Sequence, residues 1–223
     1  MLTIAKLHGE SVAYYESTVG NELGQTASES GPDSYYSEDG TKPARAWIAA
    51  RSRAQSERVS VRLGVEIGAE IRGDSVRDWF NKALAPSGEK LGRAPKSTGV
   101  PGFDLTFCAP KSVSVLWGFG SESVRQVVDA AHAQAVSEAL SYLSEHAGYT
   151  RRADDFDRDL MVIDRVEALS GVKYEHRTSR AGDPHVHSHV LLANKQLCAD
   201  GKWRTLDGVS LYNEARAASM TYQ

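Results

Sequence analysis

Apolar and polar residues alternate along Phe103-Asp104-Leu105-Thr106-Phe107-Cys108, the period of two expected of a strand with unlike faces. LTIAKL (2–7) reads as another short strand. Pro110 breaks the first of these runs, and SVSVLWGF after it starts a separate element. Residues 123–146 are predicted to form a long helix. Ser123 and Gln126 have capping-box spacing at its start, and Gly148 is placed to stop it. Its apolar stripe is Val127, Val128, Ala131, Ala135, Ala139, Leu140 and Leu143. Shorter helices are predicted over 45–58 (ARAWIAARSRAQSE) and 74–85 (DSVRDWFNKALA), the second closed by Pro86-Ser87-Gly88. A further helix is expected to begin near Gly9 and to carry Tyr14 and Tyr15. Residues 17–43, rich in Ser, Gly, Glu and Asp, and 89–101, basic and punctuated by Gly and Pro, read as loops. Residues 150–159 are charged and expected to be exposed. LMVIDRVEAL (160–169), GVKYEHRT (171–178) and HVHSHVLLAN (185–194) read as strands, the last entered through the turn Gly182-Asp183-Pro184. Long helices beside runs of adjacent strands imply an α+β fold with an antiparallel sheet, and no internal repeat is seen.

Composition narrows the class. The chain has 223 residues, 41% apolar and 25% charged, an ordinary globular balance. No run reaches the about 18 apolar residues of a membrane span. MLTIAKLHGE does not read as a secretory signal. Cys108 and Cys198 show no CxxC spacing and read as reduced thiols of a cytoplasmic protein. The net charge of −3 hides an uneven distribution. Residues 1–40 carry seven acids against one lysine, whereas 41–125 carry fourteen Lys and Arg against eight acids, a local excess of six. That stretch is a candidate phosphate-contacting face.

The most informative segment is EHRTSRAGDPHVHSHVLLAN (175–194), which holds four of the seven histidines. His185, His187 and His189 are spaced by two, so a strand points all three to one face. One ion cannot take all three, because His185 and His189 lie about 13 Å apart along a strand while Zn–N bonds are only about 2.0–2.1 Å. A neighbouring pair can chelate with a third ligand from elsewhere. His176 is the natural one if strands 171–178 and 185–194 form a hairpin. Two sets remain, His176 with His187 and His189 or His176 with His185 and His187. The first is preferred, since His189 leads straight into the apolar run VLLAN. Three neutral imidazoles leave coordination positions open, the mark of a catalytic site.

Tyr14-Tyr15 and Tyr35-Tyr36 hold four of the nine tyrosines. Tyrosine can serve as a covalent nucleophile. Only about one phenol in a thousand is ionised at neutral pH. Attack on a phosphodiester therefore needs a metal to offset charge and a carboxylate to guide the proton. Asp104 is the candidate carboxylate, set between Phe103 and Leu105 in an otherwise apolar strand. Beside a metal-bound histidine it could instead fix that ring's orientation.

Together these residues resemble the MobF class of conjugative relaxases, a branch of the HUH endonucleases. Three blocks carry the likeness: the N-terminal tyrosine pairs, GFDLTFCAPKSVSVLW, and the span from EHRTSRAGDPHVHSH through LLAN to DGKWRTLD. The resemblance implies a relaxase fold, a central antiparallel sheet with the metal site on one face and helices packed on it. It implies metal ligands His176, His187 and His189, Tyr14 as main nucleophile with Tyr15 beside it, Tyr35 or Tyr36 as a second nucleophile, and Asp104 as the catalytic acid position. Ser188 stands where the family commonly has threonine, and the separation of the tyrosine pairs is longer than is usual there. The implied reaction is strand-specific nicking and rejoining at a plasmid origin of transfer through a 5′-phosphotyrosyl intermediate. Mg²⁺ or Mn²⁺ is the expected ion, with Zn²⁺ or Ni²⁺ as alternatives. Expected partners are the origin DNA, as hairpin plus single strand, the accessory proteins of the relaxosome and the coupling protein of a type IV secretion system. Lys111 and Arg180 are candidate phosphate contacts. The resemblance further implies one relaxase domain over 1–223, the N-terminal part of a longer relaxase-helicase. It would act in the cytoplasm of a donor cell and travel into the recipient with the DNA. The rivals are a rolling-circle initiator or transposase of the same chemistry, a cupin-like oxygenase, and a non-catalytic metal-stabilised DNA-binding module.

Overall fold

A computed structural model describes residues 1–8, 43–154, 156–179 and 181–223. Its elements are β1 (Leu2–Lys6), β2 (Arg45–Ala50), α1 (Arg53–Leu63), α2 (Gly73–Lys82), β3 (Gly102–Cys108), α3 (Lys111–Phe119), α4 (Glu122–His146), β4 (Tyr149–Ala153), β5 (Met161–Arg165), β6 (Ala168–Thr178), β7 (Pro184–Ala193), β8 (Lys195–Leu197), β9 (Trp203–Thr205) and α5 (Gly208–Tyr222). Five strands make one sheet in the order β1-β3-β7-β6-β2, with every neighbouring pair antiparallel. The expected α+β architecture is therefore present. Among the described residues no helix is long and apolar enough to cross a membrane.

Alternation along the central strands sends side chains to two cores. On one face Trp47, Phe103, Leu105, Phe107, Val190 and Leu192 are buried with Val136, Leu140 and Leu143 of α4 and Leu211 of α5. On the other, Ala46, Val172, Tyr174 and Leu191 pack with Val59 and Leu63 of α1 and Val76, Trp79 and Phe80 of α2.

Several local expectations are corrected. The helix expected over 45–58 is two elements. Arg45–Ala50 is an edge strand in register with Lys173–Ala168 of β6, and the helix begins only at Arg53. Ser52 caps it by accepting from the Gln55 N–H, and Gly64, with φ 68°, ends it. Burial of Ala46, Trp47 and Ala49 against the sheet overrides the helix propensity of an alanine-rich run. The long helix starts two residues earlier than the Ser123–Gln126 spacing suggests, with Ser121 at its N-cap and Ala147 rather than Gly148 at its C-cap. Its buried stripe is Val128, His132, Val136, Ala139, Leu140 and Leu143, while Val127 is exposed. Residues 160–169 split into the end of a two-stranded β4–β5 ribbon and the start of β6. SVSVLWGF is helical, within α3.

Candidate metal centre

The hairpin of β6 and β7 sets His176 directly opposite His187 and Tyr174 opposite His189. Directly opposed residues of an antiparallel pair project from the same face, so His176, His187 and His189 share one. Their ring centroids stand 4.9 Å (His176–His187), 5.4 Å (His176–His189) and 5.3 Å (His187–His189) apart. One ligand nitrogen from each lies within 4.8 Å of the others. This is the first of the two sets that the spacing left open. His185 is not in it. The ladder shifts register between His176 and Thr178, where Thr178 pairs with Pro184. Three steps of β7 there match two of β6, and the His185 ring packs on the outer side of the set, 4.6 Å from the ring of His187.

The hydrogen bonds around the rings fix their tautomers. Nδ1 of His187 lies 2.8 Å from the His185 carbonyl oxygen, so it carries the proton and donates. Nδ1 of His189 lies 2.9 and 3.1 Å from the two carboxylate oxygens of Asp104. A neutral ring whose Nδ1 is engaged in this way presents Nε2 as the atom that could ligate a metal. Burial depresses the pKa of His176 to about 3 and that of His187 to about 4. Both rings are thus neutral at physiological pH, the form that coordinates. The donor set suits one divalent ion with positions to spare.

Asp104 is 6% exposed, and its place at the heart of β3 follows from pairing with Ala5 on one side and Leu191 on the other. Thr106, directly opposite His189, completes the group. Its hydroxyl lies 3.2 Å from an Asp104 oxygen and 3.2 Å from His189 Nδ1. The sequence reading took Thr106 as no more than a polar alternation position. Cys108 faces His187 across the ladder. Burial pushes its thiol up and keeps it protonated. Lys111, at the start of α3, donates through Nζ to the Pro184 carbonyl at 3.1 Å, beside the entry to β7. Tyr14, Tyr15, Tyr35, Tyr36 and Arg180 lie outside the described residues. Part of the basic excess of 41–125 is internally neutralised, since Arg53, Arg58, Arg62 and Lys82 pair with Glu57, Glu167, Glu89 and Asp78.

Behind the sheet lies a polar cluster that the sequence reading missed. His132 of α4 reaches Ser188, the residue between the two β7 ligands, at 2.8 Å, and the Tyr222 hydroxyl at 2.9 Å. A histidine between Val128 and Val136 on an apolar stripe was the available signal.

The sequence model of the TrwC relaxase family matches residues 8–223. The multifunctional conjugation protein TraI of Escherichia coli is 35% identical over 141 residues, which are 61% of this chain and 8% of TraI. Solved structures of the conjugative relaxase TrwC with oriT DNA cover all of this chain. The metal-bound form has a TM-score of 0.71 at 24% identity, and the form with a 27-mer carrying the recognition hairpin and cleavage site 0.70 at 21%. The likeness to TrwC establishes the fold, and this chain spans 66% and 65% of those two solved chains.

Proposed function

Because this chain belongs to the TrwC relaxase family, we propose that it nicks and rejoins one strand at a plasmid origin of transfer and so initiates conjugative transfer. The observation that carries this reading is the convergence of His176, His187 and His189 with ligand nitrogens within 4.8 Å, backed by the Asp104 carboxylate on His189. In this reading the three histidines hold one divalent ion. When bound, that ion polarises the scissile phosphate and offsets charge as the phosphorus is attacked. Mg²⁺ or Mn²⁺ is the proposed working ion, although an all-imidazole set also favours Zn²⁺ or Ni²⁺.

Tyr14 is the proposed nucleophile. Its phenolic oxygen forms a bond to phosphorus as the bond to the 3′ oxygen breaks, giving a 5′-phosphotyrosyl strand and a free 3′-OH. The phenolic proton is lost and the departing 3′ oxygen gains one. Reversal reseals the strand without ATP, because one phosphodiester is exchanged for another. Tyr15, Tyr35 and Tyr36 are the candidates for a second transfer. Asp104 orients His189 and is the candidate acceptor for the phenolic proton. The DNA is proposed to bind as a hairpin and adjoining single strand, its phosphates met by Lys111, Arg180 and other basic side chains. The accessory proteins of a relaxosome and a type IV coupling protein are proposed partners, and the donor cytoplasm the proposed site of action.

The test is an incubation with Mn²⁺ and a single-stranded oligonucleotide spanning the plasmid's transfer origin, resolved on a denaturing gel. A slower protein band that vanishes with EDTA and with Tyr14→Phe is expected. A band that survives Tyr14→Phe moves the nucleophile to another tyrosine. No adduct from a metal-loaded protein overturns the nicking reaction.

A further inference from the structure

We propose that His132 and Asp129 of α4 are positioning residues for the three-histidine centre, acting from the opposite face of the sheet through Ser188 and Arg177. The inference rests on the metal reading above and assigns it a second layer.

Each ligand-bearing strand is tethered from behind at the residue next to its ligands. On β7, Ser188 lies between His187 and His189, and the pleat points its side chain away from theirs. Its hydroxyl meets His132 Nε2 at 2.8 Å, and the other ring nitrogen meets the Tyr222 hydroxyl of α5 at 2.9 Å. A neutral imidazole has one donor and one acceptor, so one hydroxyl donates to the ring and the other accepts from it. Both ring nitrogens are satisfied. On β6, Arg177 follows His176. Its Nε lies 2.8 Å from an Asp129 carboxylate oxygen, and its Nη1 donates to the backbone carbonyl of His176 at 3.1 Å. Asp129 therefore shares with Glu175, 3.4 Å from Nη2, the ion pairing of the guanidinium that holds a ligand's own backbone. Asp129 and His132 are three residues apart, on one side of α4.

The location argues for function over packing. Ser188, His132 and Arg177 are 1%, 6% and 6% exposed, and burying such groups is costly unless each is partnered. A helix that had only to fill this space would carry an aliphatic residue at 132, in line with Val128 and Val136. The Arg177 tether also sits where the ladder is weakest at fixing geometry, at the register shift after His176, while Ser188 is in regular register with Glu175. Ligands must be held to within about 0.5 Å for tight coordination, and side-chain anchors supply what the irregular ladder does not.

Titration of the intact chain with Mn²⁺ by calorimetry, with Co²⁺ visible spectra as a readout of coordination geometry, tests this. His132→Leu and Asp129→Ala are each expected to weaken Mn²⁺ binding roughly tenfold, the lower end of what outer partners of metal ligands command, and to alter the Co²⁺ spectrum. His132→Gln, which keeps an amide near Ser188, should restore much of the affinity. Ser188→Ala should lower affinity alone but add nothing to His132→Leu. Should His132→Leu fail to melt cooperatively, Ser188→Ala, which deletes a single oxygen, carries the test. Binding within twofold of wild type in Ser188→Ala and Asp129→Ala, with His187→Ala abolishing it, overturns the inference and leaves the metal reading standing. Failure of the wild-type protein to bind Mn²⁺ or Co²⁺ overturns the metal reading itself.

Discussion

A carboxylate oxygen of Asp104 lies 2.9 Å from Nδ1 of His189, diagonally across the β3–β7 ladder. The contact gives an aspartate in an apolar strand a reason to be there. It engages Nδ1 and so orients the ring. Asp104→Ala is expected to weaken Mn²⁺ binding by roughly 10–100-fold, the usual effect of removing a ligand's outer partner. Asp104→Asn, which keeps an acceptor but no charge, should fall between. Adduct formation at saturating Mn²⁺ separates two roles. Recovery there assigns Asp104 to ring orientation alone. A deficit that metal cannot repair assigns it to proton transfer from the nucleophile as well.

The HxHxH run contains one histidine too many for a single ion, and the ligand nitrogens that converge are those of His176, His187 and His189, with the His185 ring beside His187 but outside the set. His185→Ala is expected to leave Mn²⁺ affinity within about threefold of wild type. His187→Ala and His189→Ala should each abolish measurable binding, since two imidazoles remain where three made the site. Calorimetric titration of the three variants decides the matter, and equal losses at 185 and 187 would transfer the site to the other set.

How much of this was legible in the sequence depended on distance along the chain. Alternation in β3 and β7, the spacing of the histidines and the turn between β6 and β7 are local signals, and they led to the fold class and to a preference for the three histidines that the structure brings together. β2 was misread as helix because its burial depends on β6, more than a hundred residues on. Thr106 and His132 passed unnoticed for a similar reason. Their partners, His189 and Ser188, lie 83 and 56 residues away, and no periodicity connects them. The tyrosine pairs rest on the family resemblance, since they fall outside the described residues.

The metal-free protein should lose stability in mild acid. Burial holds His132, His176 and His187 neutral, with pKa values of about 4, 3 and 4 against the ordinary 6.5. Between pH 6.5 and about 4 the unfolded chain binds more protons than the native one, so stability rises with pH in that window. The contribution is complete above 6.5 and is lost as pH falls through the folded-state values. Each unit of depression in one group is worth about 1.4 kcal/mol. Urea unfolding in EDTA at pH 7.5, 6 and 5 should show a steady fall. His132→Leu, which removes one of the three groups, should show a shallower one. A flat profile from 7.5 to 5 would contradict the buried neutral state.

Gly171 links the sheet's integrity to the site. It pairs with Trp47 of β2 on one side and Leu192 of β7 on the other. A Cβ at this position would sit 1.9 Å from the Leu191 carbonyl oxygen, and the obstacle is backbone, so no side-chain rotation relieves it. Gly171→Ala must push β6 away from β7, the two strands that bear all three histidines. Overpacking of this kind typically costs 1–3 kcal/mol, and the rigid neighbour places Gly171→Ala at about 3 kcal/mol or more. Because the same displacement separates His176 from His187 and His189, Mn²⁺ affinity should fall along with the urea midpoint. Gly68→Ala is the control. It sits at φ 84° with no atom within 4 Å of the added methyl, so its cost is local strain, and metal affinity should stay at the wild-type value. Loss of stability in Gly171→Ala without any loss of Mn²⁺ affinity would mean that the ligand end of the hairpin tolerates a spread at its base.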